Sequence, residues 1–284
     1  MKGLAITVMF SLLQFGCAKE SEVLNGPFLI KDGVTFDQMT NQSVTGIILD
    51  LHDNGQLKTR SLYRKGLQEG LFESFHENGQ LRERITYLSG VKNGLEQTFD
   101  SDGRLISSLT LAGGIKNGIE KQSTYPSAAS SRITHTPYVL GTKEGIEELY
   151  IDGVLREQKS YQNGIAEGPY TLFYQKNGKI KLTYSYVGGK KHGAAKGFRS
   201  TEEKAFIGNY IDGYAEGEHR VYNAEGELHA RWNCKGNLLV SGSLKLTNSK
   251  LQKRFFPWES AKFERIGCDK ILQSVWRDDM RYWE

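Results

Sequence analysis

The chain repeats itself on its glycines, and that limits what it can fold into. Gly46, Gly70, Gly94, Gly118, Gly145, Gly168, Gly193 and Gly217 follow one another at steps of 24, 24, 24, 27, 23, 25 and 24 residues. A fixed period of this length signals a repeat architecture, in which each unit buries its apolar face only against its neighbours. The clearest unit runs from Gly70 to Gly94. It carries Phe75, Asn78-Gly79, Leu81, Tyr87 and Gly90 in order. The closing pattern Tyr-x-x-Gly-x-x-x-Gly recurs as Tyr63/Gly66/Gly70, Tyr138/Gly141/Gly145, Tyr161/Gly164/Gly168, Tyr186/Gly189/Gly193 and Tyr210/Gly213/Gly217. Leu111 replaces the tyrosine before Gly114, and Cys234 replaces it in the last unit.

Each unit reads as a β-hairpin. Asn54-Gly55, Asn78-Gly79, Asp102-Gly103, Asp152-Gly153 and Asn177-Gly178 lie between runs of alternating polarity. Asn-Gly and Asp-Gly favour tight hairpin turns in which both central residues take positive φ. Leu71, Phe75, Leu81, Ile85 and Tyr87 are expected on one face, interrupted by Glu73. Helix is excluded by the recurrent glycine, which costs about 0.8–1.0 kcal/mol relative to alanine in a helix interior. Two stretches depart from the pattern: Ser123 to Pro137 predicts an irregular loop or bulge, and Ala194 to Phe206 lacks the Asn-Gly turn.

These slots resemble the variant MORN repeat family over Gly46 to Gly236. The resemblance implies an all-β fold of tandem antiparallel β-hairpin repeats, forming an elongated twisted single-layer sheet. Some bacterial members of the family are described as antitoxins, which implies a toxin-neutralising alternative. An export signal fits that role poorly.

The expected layout is a signal segment over 1–17, a lead-in hairpin over 18–45 turning at Asp32-Gly33, eight repeats over 46–236, and a small mixed C-terminal cap over 237–284. In the cap the period fails, and Ile271, Leu272, Val275, Trp276 and Met280 have helical spacing. At the N-terminus an apolar run ends at Gly16-Cys17-Ala18 and is followed by polar Lys19-Glu20-Ser21-Glu22. This resembles a bacterial lipoprotein signal, with Cys17 as the lipid-bearing residue, and places the protein at the membrane, periplasmic or on the cell surface. Ordinary cleavage after Ala18 is the alternative reading.

With Cys17 lipidated or removed, Cys234 and Cys268 remain as an even pair, either disulfide-bonded outside the cytoplasm or buried as free thiols. The formal charge of +4 comes from 37 basic and 33 acidic residues that alternate along the chain, which argues against nucleic acid as a partner.

No nucleophile elbow, phosphate loop or zinc-protease helix is present, and no catalytic residue, cofactor or metal is expected. His52 and His76 share a slot in successive repeats, but a metal needs three or four converging ligands. Asp100-Ser101-Asp102-Gly103 lacks the later acidic ligand of a calcium loop. The recurring tyrosines and phenylalanines read as packing between hairpins. Trp232, Trp258, Trp276 and Trp283 cluster late, either as cap core or as an aromatic surface for a glycan. The function expected is a non-enzymatic binding or scaffolding module at the bacterial cell envelope, with a protein partner. A carbohydrate or peptidoglycan ligand on the tryptophans is the alternative.

Overall fold

The computed structural model describes residues 22–127, 129–244 and 267–268. The protein is all-β, and every named element is a strand. The chain divides into two compact units, 1–92 and 93–284.

The first unit holds β1 (Val23–Leu24), β2 (Phe28–Lys31), β3 (Val34–Asp37), β4 (Gly46–Leu51), β5 (Leu57–Arg64), β6 (Leu67–Phe75) and β7 (Leu81–Leu88). Strands β4 to β7 pair antiparallel in order, and β1 lies parallel to β4. Strands β2 and β3 form a separate hairpin through Asp32-Gly33. This hairpin docks on the first closing turn: Thr35 N–H donates to the Gly66 carbonyl at 2.8 Å, and Val44 N–H to the Thr35 carbonyl at 3.0 Å.

In the second unit, after β8 (Val91–Phe99) come β9 (Leu105–Ala112), β10 (Ile115–Lys116), β11 (Gly118–Ser127), β12 (Ser130–Val139), β13 (Thr142–Lys143), β14 (Gly145–Ile151) and β15 (Val154–Gln162). Then follow β16 (Ile165–Phe173), β17 (Ile180–Val187), β18 (Lys190–Phe198), β19 (Lys204–Ile211), β20 (Tyr214–Ala215), β21 (Gly217–Tyr222), β22 (Leu228–Lys235) and β23 (Leu238–Leu244). The paired strands are antiparallel. Where a short strand precedes a long one, as β13 precedes β14, the two are a single hairpin arm interrupted at the residue before the repeat glycine.

The turns reverse the sequence expectation. The two-residue turns with both φ positive lie in the closing stretch, as at Lys65-Gly66 (51° and 79°) and Asn163-Gly164 (50° and 79°). At Asn54-Gly55 only the glycine has positive φ. There His52 N–H bonds Gln56 O and Gly55 N–H bonds His52 O, both at 2.8 Å, which makes a three-residue loop with glycine in the left-handed bulge position. Asn54 instead uses its side chain, whose Oδ1 accepts the Gln56 N–H at 3.0 Å. Asp152-Gly153 alone among the mid-repeat pairs has both φ positive.

Ser123 to Pro137 lies mostly on the ten-residue strands β11 and β12, and the expected irregularity is a register shift between Thr124 and Ser127. At Arg199–Glu203 the same loop forms without glycine, and Glu202 takes the left-handed position at φ 78°.

Register sets the faces. Each repeat glycine lies across from the closing tyrosine of its hairpin, as in Gly70↔Tyr87, Gly145↔Tyr161 and Gly168↔Tyr186, so the phenol ring has an opposite neighbour without a side chain. Directly paired residues share a face. Phe72, opposite Ile85, therefore joins Ile85 and Tyr87, and its ring meets Tyr87 edge-on at 6.3 Å. Leu71 pairs with Thr86 and lies on the other face, which corrects the expectation from the sequence. Glu73 does not interrupt the aromatic face. It lies on the Leu71 side, 4% exposed, between Arg60 and Arg84 of the adjacent strands.

Among the described residues a compact core forms toward the end of the second unit. Phe206, Tyr210, Val221, Ala230, Trp232, Cys234, Leu239 and Cys268 are buried together. His219 is 1% exposed there, stacked on Trp232 with centroids 5.7 Å apart.

Candidate functional site: a tyrosine and lysine face

Two regular hydrogen bonds hold the hairpins of each unit in step. The second residue of a closing turn donates its N–H to a carbonyl two residues before the preceding repeat glycine. Examples are Gly164 to Lys143 at 2.9 Å, Gly189 to Ala166 at 2.9 Å and Gly213 to Lys191 at 2.9 Å. The first residue of the turn donates to the side chain just before that glycine. Ser89 N–H bonds Glu69, Gly113 bonds Asn93, Leu140 bonds Asn117, Asn163 bonds Glu144, Gly188 bonds Glu167 and Gly236 bonds Glu216. Neither role was recognised from the sequence. Aligned on the glycines, the preceding residue reads Thr, Glu, Asn, Asn, Glu, Glu, His, Glu, so the signal was present.

This stacking sets the lysines two residues before Gly118, Gly145 and Gly193 beside the closing tyrosines. Lys116 Nζ is 4.8 Å from the Tyr138 ring centroid, and Lys143 is 4.9 Å from that of Tyr161. Lys191 lies 4.9 Å from Tyr184 and 5.3 Å from Tyr210. Lys159 sits 5.0 Å from both Tyr161 and Tyr186. Such ammonium–ring contacts contribute ~0.5–1 kcal/mol each where exposed.

Carboxylates complete part of the row. Lys143 pairs with Glu147 at 2.6 Å, and Lys116 with Glu120 at 2.8 Å. Burial would raise the Glu147 pKa, but hydrogen bonds from Lys143 and Thr136 outweigh it and hold the carboxyl below its usual range. Among the described residues Lys159 and Lys191 form no ion pair. Tyr170 and Tyr184 stack at 4.5 Å, and the Tyr184 hydroxyl is 3.2 Å from that of Tyr186. Burial first, then Glu157 beside Tyr170 and Tyr186 beside Tyr184, pushes both phenols well above their ordinary pKa. The face is partly exposed, with side-chain exposures of 38% at Lys116 and 33% at Lys143.

The residues singled out in the sequence fall elsewhere. Cys234 and Cys268 are joined as a disulfide, Cα atoms 6.4 Å apart, and Cys268 N–H donates to the Asn237 carbonyl at 2.8 Å. Trp232 is 1% exposed, so it is a core residue and offers no ring to a ligand. Its alternate-position neighbours on β22, Arg231 and Asn233, take the solvent side. Cys17, Trp258, Trp276 and Trp283 lie outside the described residues, as do the signal segment and most of the cap.

Among the described residues no cluster of three or more His, Cys, Asp or Glu could hold a metal. His52 bonds the Phe75 carbonyl through Nε2 at 2.9 Å. Asp100 closes its own turn, accepting the N–H groups of Asp102 at 3.0 Å and Arg104 at 2.8 Å.

Residues 68–88 match the family model described as MORN repeat variant. The match covers the β6–β7 hairpin almost end to end. No curated protein matches the chain. The MORN repeat is a non-catalytic module that binds proteins or membranes.

Proposed function

We propose that this chain, which carries a variant MORN repeat, is a non-enzymatic binding module of the bacterial cell envelope, with the tyrosine and lysine face of its second unit as the binding surface. One observation carries the reading. Lys143, Lys159 and Lys191 recur beside tyrosine rings along a partly exposed face, and Lys159 and Lys191 form no ion pair among the described residues, Glu147 opposite Lys159 being bonded to Lys143. Core packing alone gives no reason to place unpaired cations there, because a desolvated charge is costly.

Attachment at the envelope rests on the apolar run ending at Cys17. A clickable fatty acid fed to cells should label the protein, and equal labelling of Cys17→Ser would remove the anchor. Binding is tested with a photo-crosslinking residue in the full chain, placed at position 159 or at position 158 on the opposite face. Position 159 should give envelope crosslinks that position 158 does not. Equal yields from both would reject the assignment of the face.

A further inference from the structure

We infer that the tyrosine and lysine face binds an extended acidic polysaccharide. The inference rests on the binding-module reading above and names its ligand class. Three features of the face point to this chemistry.

The first is the spacing. Tyr138, Tyr161 and Tyr186 occupy the same slot in successive hairpins of the second unit. A hairpin adds two strands, so equivalent rings recur about every 9.5 Å across the sheet before twist. That step matches the length of a disaccharide in an extended β-linked polysaccharide.

The second is the chemistry at each step. A pyranose presents a face of C–H groups that packs on an aromatic ring, with hydroxyls at its rim. The rings here are flanked by hydroxyls and by carboxylates already held in place, such as Glu147 with Lys143 and Thr136. A few placed polar groups beside apolar rings are what fixes a ligand's orientation.

The third is the charge. Lys159 and Lys191 each lie between two phenol rings and form no ion pair among the described residues, the Glu147 carboxylate across from Lys159 being held by Lys143. An acidic group on alternate sugars would meet one lysine per hairpin. A neutral glycan would leave both ammonium groups unused. Trp232 supplies no platform, so this ligand site is distinct from the one suggested by the late tryptophans.

The test uses the full chain and three probes: hyaluronan oligosaccharides, chitin oligosaccharides of equal length, and phosphatidylcholine vesicles with and without phosphatidylglycerol. Titration calorimetry should show binding of hyaluronan and weaker or absent binding of chitin. Combining Lys159→Gln with Lys191→Gln should weaken hyaluronan binding about tenfold or more, since each lost charge-assisted contact removes a substantial part of the affinity. Lys159→Arg with Lys191→Arg, which keeps both charges, should restore most of it. Circular dichroism confirms that each variant is folded. No saccharide binding, equal binding in the glutamine variant, or binding to anionic vesicles alone would each overturn the polysaccharide assignment. Crosslinking from position 159 that persists after such a result leaves the binding-module reading standing, whereas loss of both removes it.

Discussion

Glu167 and His192 occupy equivalent positions before successive repeat glycines, yet only one of them closes its turn. Glu167 Oε2 accepts the Gly188 N–H at 2.7 Å. His192 Nδ1 is buried without a hydrogen-bond partner, and the next turn, Asp212-Gly213, has no corresponding side-chain acceptor among the described residues. Glu167→Ala should therefore cost stability locally. The lost bond resembles a helix N-cap, worth about 0.5–2 kcal/mol. Gly188 is exposed and water replaces part of the bond, so the lower half of that range applies. His192→Asn should act in the opposite direction, because Asn93 and Asn117 already accept turn N–H groups from this slot at 2.9 and 3.2 Å. It also removes a buried ring nitrogen that lacks a partner. The assay is site-resolved amide hydrogen exchange, which reads local opening directly. A change of 1 kcal/mol corresponds to about fivefold in exchange rate, faster at Gly188 in the alanine variant and slower at Asp212 in the asparagine variant. Glu167→Gln keeps an acceptor and should change Gly188 little. If Gly188 exchanges equally in all three chains, or His192→Asn speeds exchange at Asp212, the side chains do not hold the turns and the reasoning fails.

Three further outcomes are expected. Leu140→Asn should raise stability by ~0.5–1 kcal/mol in denaturant titration, because Leu140 is 71% exposed at φ 46° and Asn163 fills the same slot at φ 50°; a loss would show that the left-handed strain is not there. Tyr170 and Tyr184 have folded pKa values raised above the ordinary phenol value, so their contribution is fully present below about pH 10 and is lost as pH rises toward the folded pKa. Spectrophotometric titration should show a group of phenols that ionises only as the circular dichroism of the sheet is lost, and ionisation of every tyrosine near pH 10 in the folded chain would contradict this. Cys268→Ser should destabilise the core around Trp232, since a cross-link over a sequence separation of 34 contributes ~3–4 kcal/mol in the chain-entropy model; unchanged exchange protection along β22 and β23 would count against it.

The period, the hairpins and the all-β class were legible because glycine recurs where the backbone needs it. What the glycines do was less legible. Asn54-Gly55 and Lys65-Gly66 both look like hairpin turns in sequence, but dipeptide chemistry does not reveal which has a two-residue loop and which a three-residue loop with a bulge. The β-ladder decides that, through His52 N–H to Gln56 O in one case and the Leu67↔Arg64 pair in the other. Face assignment needs the same information. Alternation along β6 groups Leu71 with Phe75, but pairing with β7 puts Leu71 beside Thr86 and Phe72 beside Ile85. The candidate site was half legible. Its tyrosines were recognised as a repeating slot, but the lysines that flank them come from neighbouring strands and become partners only once the hairpins stack. Trp232 was left open between core and ligand surface, because aromatic content does not distinguish a covered face from an open one, and its burial decides for the core.

The same repeat pattern produces a surface in one part of the second unit and a core in another. In β13 to β18 the tyrosine side of the sheet carries Lys143, Glu147, Lys159 and Lys191, all partly exposed. From β19 onward the residues on that side are Phe206, His219, Trp232 and Cys234, each at 2% exposure or less. The position two before the repeat glycine changes in step. It is lysine at 143 and 191, whose ammonium groups lie beside phenol rings on a partly exposed face, and alanine at 215, which is 1% exposed. A lysine at 215 would have to bring its charge into the space beside Cys234 and Tyr210. The closing tyrosine changes as well, becoming Cys234, which replaces ring packing with a covalent link to Cys268. The proposed binding chemistry therefore belongs to the stretch where lysine fills this position. Stability belongs to the stretch where alanine and cysteine replace the lysine and tyrosine.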